Sequence, residues 1–120
     1  MRVKTITAAL VGAALAAAVP ATAATAHHAA KATTITVAMS EFKFKLSKAS
    51  APKGTVVFKL SNKGQVAHDF KINGKKSPLI NPGKSATLKV TFAKAGKFAY
   101  LCTVPGHAAS GMKGTFTVKA

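Results

Sequence analysis

Apolar and polar residues alternate one by one through most of the chain after residue 32. Alternation with a period of two is typical of β-strands that bury one face, and no segment repeats its apolar residues at the helical spacing. Turn-forming pairs such as Asn73-Gly74 and Ala95-Gly96 separate the alternating segments. We therefore predict an all-β fold, a Greek-key β-sandwich of roughly seven to eight antiparallel strands. The alternating apolar series lie at residues 35–39, 42–46, 56–60, 66–70, 86–92, 98–102 and 116–118.

The beginning of the chain, residues 1–26, has the three parts of a secretory signal peptide. Arg2 and Lys4 give a positive start, and an almost entirely apolar run follows. Small-x-small motifs then offer cleavage sites after Ala23 or Ala26. The apolar run is too short for a membrane-spanning helix. We therefore expect an exported protein, in the periplasm or outside the cell and without a transmembrane segment after processing.

Two parts are expected after the signal peptide: a flexible leader at residues 27–32 and one small domain at residues 33–120. Cleavage after Ala26 would make His27 the first residue. The amine and ring of His27, together with His28, would then offer an adventitious metal site, although the sequence provides no obvious further ligands for it.

The charge of the chain is strongly positive and evenly spread. Arg2 and Lys4 are two of the 18 basic residues, so 16 lysines, no arginine and two acids, Glu41 and Asp69, follow the signal peptide. Dedicated nucleic-acid binders favour arginine in a focused stripe, so we expect no specific nucleic-acid binding. Scattered lysines instead predict a solvated surface that steers the protein to acidic partners or to an anionic cell envelope.

The most informative residues for function are metal-binding side chains near the end of the chain. Cys102, His107 and Met112 follow one another with four residues between each pair, and His68 lies on a distant strand. Cys102 is the only cysteine, so no disulfide within the chain can form. One thiolate, two imidazoles and a weak axial thioether are the ligand set of a blue-copper site. The sequence therefore predicts one type 1 copper ion.

Each of these residues also has a simpler structural interpretation. A single Cys102, His68 or Met112 would more often be a buried core residue than a ligand. Zinc accepts Cys and His but usually not Met, so a structural zinc site fits the four residues less well than copper does. An unpaired cysteine in an oxidising compartment nevertheless needs a reason to persist, and copper supplies one.

The segment from Tyr100 to Met112, with His68 upstream, closely resembles the cupredoxins, the small blue-copper electron carriers of the auracyanin, azurin and plastocyanin type. The resemblance implies that His68 and His107 are the imidazole ligands, Cys102 the thiolate and Met112 the axial thioether. It also implies that the carbonyl of Ala67 lies where azurin-like sites offer a distant backbone oxygen.

One residue departs from the resemblance. Many cupredoxins have Asn after the first ligand His, where this chain has Asp69. That position normally forms a hydrogen bond with the residue after the Cys, which is Thr103 here. We expect Asp69 to accept from the hydroxyl or backbone N–H of Thr103. An ionised carboxylate in this place should favour Cu(II) and lower the reduction potential.

These residues predict a monomeric carrier of single electrons and not a catalyst, because a filled one-copper site leaves no place for substrate. Four histidines and one cysteine cannot build the additional copper centres of multicopper enzymes. An extracytoplasmic copper carrier or chaperone, or a copper-binding module without an electron-transfer role, remains the alternative, although copper carriers often use Met- and His-rich sites. The related proteins exchange electrons through an apolar patch around the second His. The corresponding residues here are Val104, Pro105, Ala108 and Ala109.

Overall fold

Nine short strands make up the regular structure of residues 31–120, the part of the chain that this computed structural model describes. No helix occurs within these residues. The predicted signal peptide and most of the predicted leader lie outside the described residues. The strands are β1 (Thr33–Ser40), β2 (Lys43–Leu46), β3 (Ser50–Pro52), β4 (Gly54–Asn62), β5 (Lys71–Ile72), β6 (Lys75–Lys76), β7 (Ser85–Phe92), β8 (Gly96–Leu101) and β9 (Lys113–Lys119).

The strands form two sheets. One has four strands in the order β2-β1-β4-β7, and the other has five in the order β3-β9-β8-β5-β6. The prediction of a β-sandwich is confirmed, but the prediction of purely antiparallel pairing is wrong. β1 pairs with β4 in parallel, and β3 pairs with β9 in parallel. The reason is that β3 belongs to the second sheet, so the chain crosses the sandwich after β2 and returns to run beside β1 in the same direction.

The core lies between the two sheets and follows the alternation of the sequence. The inward residues of β1 and β4 are fully buried, with Phe58 at the centre. Its ring lies 5.5 Å from the ring of Phe116 in the opposite sheet and 5.1 Å from the ring of Phe70. Complete burial of a large apolar side chain stabilises the fold by about 1.5–3 kcal/mol. This apolar core therefore holds the sheets together without a disulfide.

The predicted strand at residues 66–70 is not formed. His68 makes only an isolated bridge with Ile80, and the regular strand begins later, at Lys71. β5 and β6 form a short hairpin whose turn is Asn73-Gly74, as predicted, and both turn residues have positive φ angles of 50° and 72°. These values match the turn that two-residue hairpins favour.

Candidate metal centre

Cys102 and Met112 lie at the two ends of the loop that joins β8 to β9. The backbone N–H of Cys102 donates to the carbonyl of Met112 at 3.1 Å, which extends the β8–β9 pairing by one step. Within the loop, the N–H of Met112 donates to the carbonyl of His107, and the N–H of His107 donates to the carbonyl of Val104. The loop therefore holds His107 in place between the two strand ends.

His68 lies shortly before β5, the strand that pairs with β8. Its backbone exchanges two hydrogen bonds with Ile80, of 3.1 and 2.8 Å. Asn62, fully buried at the end of β4, holds both neighbouring segments: its Nδ2 donates to the carbonyls of Val66 and Ile80, and its Oδ1 accepts from the N–H of Gly64. Asn62 therefore fixes the backbone around His68, a role that the sequence pattern did not suggest.

The side chains of His68, Cys102 and His107 come together at one end of the sandwich. The Nδ1 atoms of the two histidines lie 3.1 Å apart, and Sγ of Cys102 lies 3.6 Å from Nδ1 of His107. One potential ligand atom from each of the three residues lies within 4.8 Å of the others. His68 and Cys102 are buried, and His107 is partly exposed. A thiol and two imidazoles that converge in a largely buried place could hold a single copper ion.

The remaining predicted residues lie around this cluster. Met112 is completely buried and belongs to the same apolar core cluster as Cys102. Ala67 directly precedes His68 and is partly buried. Their roles as axial ligand and distant carbonyl stay predictions.

Asp69 and Thr103 tie the two ligand-bearing segments together. The backbone N–H of Thr103 donates to Oδ1 of Asp69 at 2.6 Å, and the Thr103 hydroxyl donates to Oδ2. Asp69 therefore accepts hydrogen bonds from both groups of Thr103 that the sequence suggested as donors, the backbone N–H and the hydroxyl. Because Asp69 follows His68 and Thr103 follows Cys102, the carboxylate fixes the spacing between two of the candidate ligands.

The surroundings of Cys102 act on its thiol in opposite directions. Burial raises the pKa of the Cys102 thiol above its ordinary value, whereas hydrogen bonds from the backbone N–H groups of Asp69 and Val104 lower this pKa. Burial is the largest of these effects. A metal ion that binds the thiolate must therefore displace a proton.

Two residues that the sequence analysis did not select also contact the histidines. Glu41 accepts hydrogen bonds from the N–H groups of Gln65 and Val66, and its Oε1 lies 3.3 Å from Nε2 of His68. The two N–H donors hold the pKa of Glu41 below its ordinary value. Phe42 places its ring edge-on to His107, with the ring centroids 5.4 Å apart. The scarcity of acids was the one available signal for Glu41, because the chain has only two acidic residues.

The residues predicted to form an apolar patch flank His107 in the sequence. Val104 and Ala108 are partly exposed, and Pro105 and Ala109 are exposed. Phe42, with 42% of its surface exposed, adds a large apolar side chain that the sequence analysis did not place there.

A β-sandwich that brings one thiol and two imidazoles together at one end has the architecture of a small copper-binding domain. The chain belongs to the cupredoxin-like domain family, whose pattern matches residues 13–118.

Known relatives and solved structures agree with this assignment. The chain is 49% identical over 43 residues to the copper-resistant cuproprotein CopI of Pseudomonas aeruginosa, and this match covers 36% of the chain and 24% of CopI. It is 42% identical over 40 residues to auracyanin-B of Chloroflexus aurantiacus, over 33% of the chain and 17% of that protein. The matches thus span about a quarter or less of these relatives. The structure of reduced auracyanin from Roseiflexus castenholzii superimposes with a TM-score of 0.64 and 25% identity, covering 74% of this chain and 98% of that one.

Proposed function

We propose that the chain is an exported blue-copper protein that carries single electrons between redox partners. His68, Cys102, His107 and Met112 would hold one type 1 copper ion. The observation that carries the proposal is the convergence of the Cys102 thiol with Nδ1 of both histidines in a largely buried place. A bound copper ion supplies a one-electron couple between Cu(I) and Cu(II).

The protein's own contribution is to keep the ligands still. His68 is held by the two backbone bonds to Ile80, and Cys102 is held by its bond to Met112. The Asp69–Thr103 hydrogen bonds join these two segments. A site whose ligands are fixed by the fold changes little between two oxidation states, and this favours rapid electron exchange.

The route for electrons would pass through His107, because it is the partly exposed member of the cluster. The apolar residues beside it support a brief contact with a partner, since small interfaces are typical of transient redox complexes. The partner is expected to be acidic. Both acids of residues 31–120 lie at the site, and no lysine within these residues forms a salt bridge. The lysines are therefore available to steer association, which salt would slow.

The proposed role is electron transfer and not catalysis. One group of three possible His and Cys ligands comes together within residues 31–120. These residues also contain no helix that is long and apolar enough to cross a membrane. We further propose that the protein is exported and monomeric, and that its lysines attract it to an anionic cell envelope.

A copper carrier is the second candidate, because the matched segment of CopI belongs to a protein whose name describes copper resistance. The two functions differ in how tightly copper is held. An electron carrier should keep its copper in the presence of a chelator in both oxidation states. A copper carrier should release the ion to the chelator in at least one oxidation state.

The decisive experiment is a visible spectrum after addition of Cu(II) to the full chain and, in parallel, to a fragment of residues 33–120, which removes His27 and His28. Cys102→Ser is the matched control, since it replaces only the sulfur. An intense thiolate-to-copper band that is absent from the control supports the proposed site. A folded protein that shows no such band would overturn it.

A further inference from the structure

The turn between β1 and β2 carries a feature of this chain that the proposed ligand set does not use. Only Glu41 and Phe42 separate the paired residues Ser40 and Lys43. Phe42 has a φ angle of 61°, in the left-handed region that bulky residues rarely adopt. Such conformations persist where the surroundings hold them, and they cluster at functional sites. This turn directs one residue to each histidine of the candidate metal centre, Glu41 to His68 and Phe42 to His107.

The carboxylate of Glu41 is held in a fixed position. Its Oε1 accepts from the N–H of Gln65 at 2.6 Å and from the N–H of Val66 at 3.1 Å. The same oxygen lies 3.3 Å from Nε2 of His68, whose side chain is fully buried, whereas 36% of the Glu41 side chain is exposed. The buried imidazole of His68 therefore contacts a partly exposed carboxylate at Nε2.

Gly64 makes room for this arrangement. A Cβ atom on Gly64 would overlap Oε1 of Glu41 and also crowd its Cδ, at 2.9 Å. The backbone of Gly64 does not have a positive φ angle, so the conflict is purely steric, and a Cβ atom here would displace the carboxylate of Glu41. Glycine at this position thus permits the carboxylate to approach the loop and the histidine.

The contact has two consequences for His68. A carboxylate at Nε2 favours the tautomer with its proton on that nitrogen, and this leaves the lone pair of Nδ1 directed at Cys102 and His107. The negative charge of Glu41 would also stabilise the higher oxidation state of a metal ion bound to His68. The reason is that the imidazole transmits electron density from one nitrogen to the other.

We propose that Glu41 is a positioning residue that fixes the tautomer of His68 through Nε2 and lowers the reduction potential of the copper site, an inference that rests on the proposed function. Glu41 thereby adds a second carboxylate to Asp69 at the centre, in contact with the outer nitrogen of a ligand. A merely structural role would instead limit Glu41 to accepting hydrogen bonds from the loop at Gln65 and Val66.

The first test separates charge from geometry in the full chain. Glu41→Gln keeps one oxygen for the same three donors and removes the charge, so the reduction potential should become more positive. Gly64→Ala keeps the charge and displaces the carboxylate, and it should shift the potential in the same direction by a smaller amount. Ala95→Lys is the matched control: it makes the same change in net charge at an exposed turn before β8, at the end of the strand away from Cys102.

Voltammetry of the copper-loaded wild type and variants measures these shifts in reduction potential. A Glu41→Gln shift that exceeds the Ala95→Lys shift supports the proposal. Equal shifts in the two variants, or no shift in either, would overturn it while leaving the electron-carrier function intact, because the wild-type potential and copper band would still be present.

A second test needs no copper. Nitrogen-15 NMR of the metal-free protein should show the His68 ring with its proton on Nε2 in the wild type and in Glu41→Gln. Glu41→Ala should lose this preference. A wild-type ring protonated on Nδ1, or a Glu41→Ala ring that is unchanged, would overturn the positioning role even if the chain bound no copper. Failure of the copper spectrum and failure of this inference are therefore distinguishable.

Discussion

Replacement of the buried Asn62 by alanine should destabilise the domain strongly. The side chain is completely buried and makes three hydrogen bonds, each of 2.8 Å, to Val66, Ile80 and Gly64. It joins the end of β4 to both segments that flank His68. Asn62→Ala removes all three bonds and places no other polar group within reach.

The magnitude follows from which groups lose their partners. The N–H of Gly64 loses the acceptor that the structure shows for it, in a buried place. The carbonyl of Ile80 keeps the hydrogen bond from the N–H of His68 and therefore loses less. The bond to Val66 is only partly buried, so water can replace it in part. An unsatisfied buried group costs about 1–3 kcal/mol, so the three losses together should lower the free energy of unfolding by about 3 kcal/mol.

Urea denaturation of the metal-free protein measures this loss. A decrease of about 3 kcal/mol corresponds to a fall of roughly 12–24 °C in the melting temperature for a domain of this size. The dependence on urea should keep its slope, since the surface exposed on unfolding hardly changes. Asn81→Ala is the control, because Asn81 is exposed, and it should change stability by less than about 0.5 kcal/mol. A loss below about 1 kcal/mol for Asn62→Ala would refute the buried-amide reasoning.

Three further substitutions test the site and its support. Asp69→Asn removes a charge but keeps an acceptor for Thr103, so voltammetry should give a more positive potential, and an unchanged value would contradict the role of the carboxylate. Met112→Leu should keep the thiolate band in the visible spectrum and raise the potential, because a weak axial donor is lost. Gly114→Ala should cost about 1–3 kcal/mol in urea denaturation, since its Cβ would overlap the ring of Tyr100, and a Tyr100→Ala background should remove most of that cost.

Much of the fold could be predicted because the side-chain period of a strand leaves a direct trace in the sequence. Most residues that the alternation assigned to the inner face, such as Val37 and Phe58, are buried, whereas Phe42 and Val66, the first residues of two of the series, are exposed. β3 and β6 show no alternation of apolar and polar residues, because they are short edge strands. β3 has one buried residue, and both residues of β6 are exposed lysines. The direction of β3 was also unpredictable, because it depends on where β9 lies and not on the residues of β3 itself.

The candidate site also contains residues that could be predicted from the sequence and residues that could not. Cys102 and His107 could be selected because thiol and imidazole are rare and their spacing within one loop is informative. The hydrogen bonds between Asp69 and Thr103 could be anticipated from the resemblance. Glu41 and Asn62 could not be selected in this way. Glu41 contacts His68 from just beyond the end of β1, and Asn62, at the end of β4, bonds to segments beside His68, so only the packed fold brings them to the site.

The hydrogen bond between Cys102 and Met112 closes the β8–β9 loop at its base. The two strands are therefore already joined before the loop begins, and residues 103–111 form a segment whose length is independent of the sheets. A loop of another length could be exchanged at this junction without changing the register of Leu101 with Lys113. The two sheets would then serve as a constant scaffold while the loop geometry at His107 is varied. This makes the domain suitable for loop grafting.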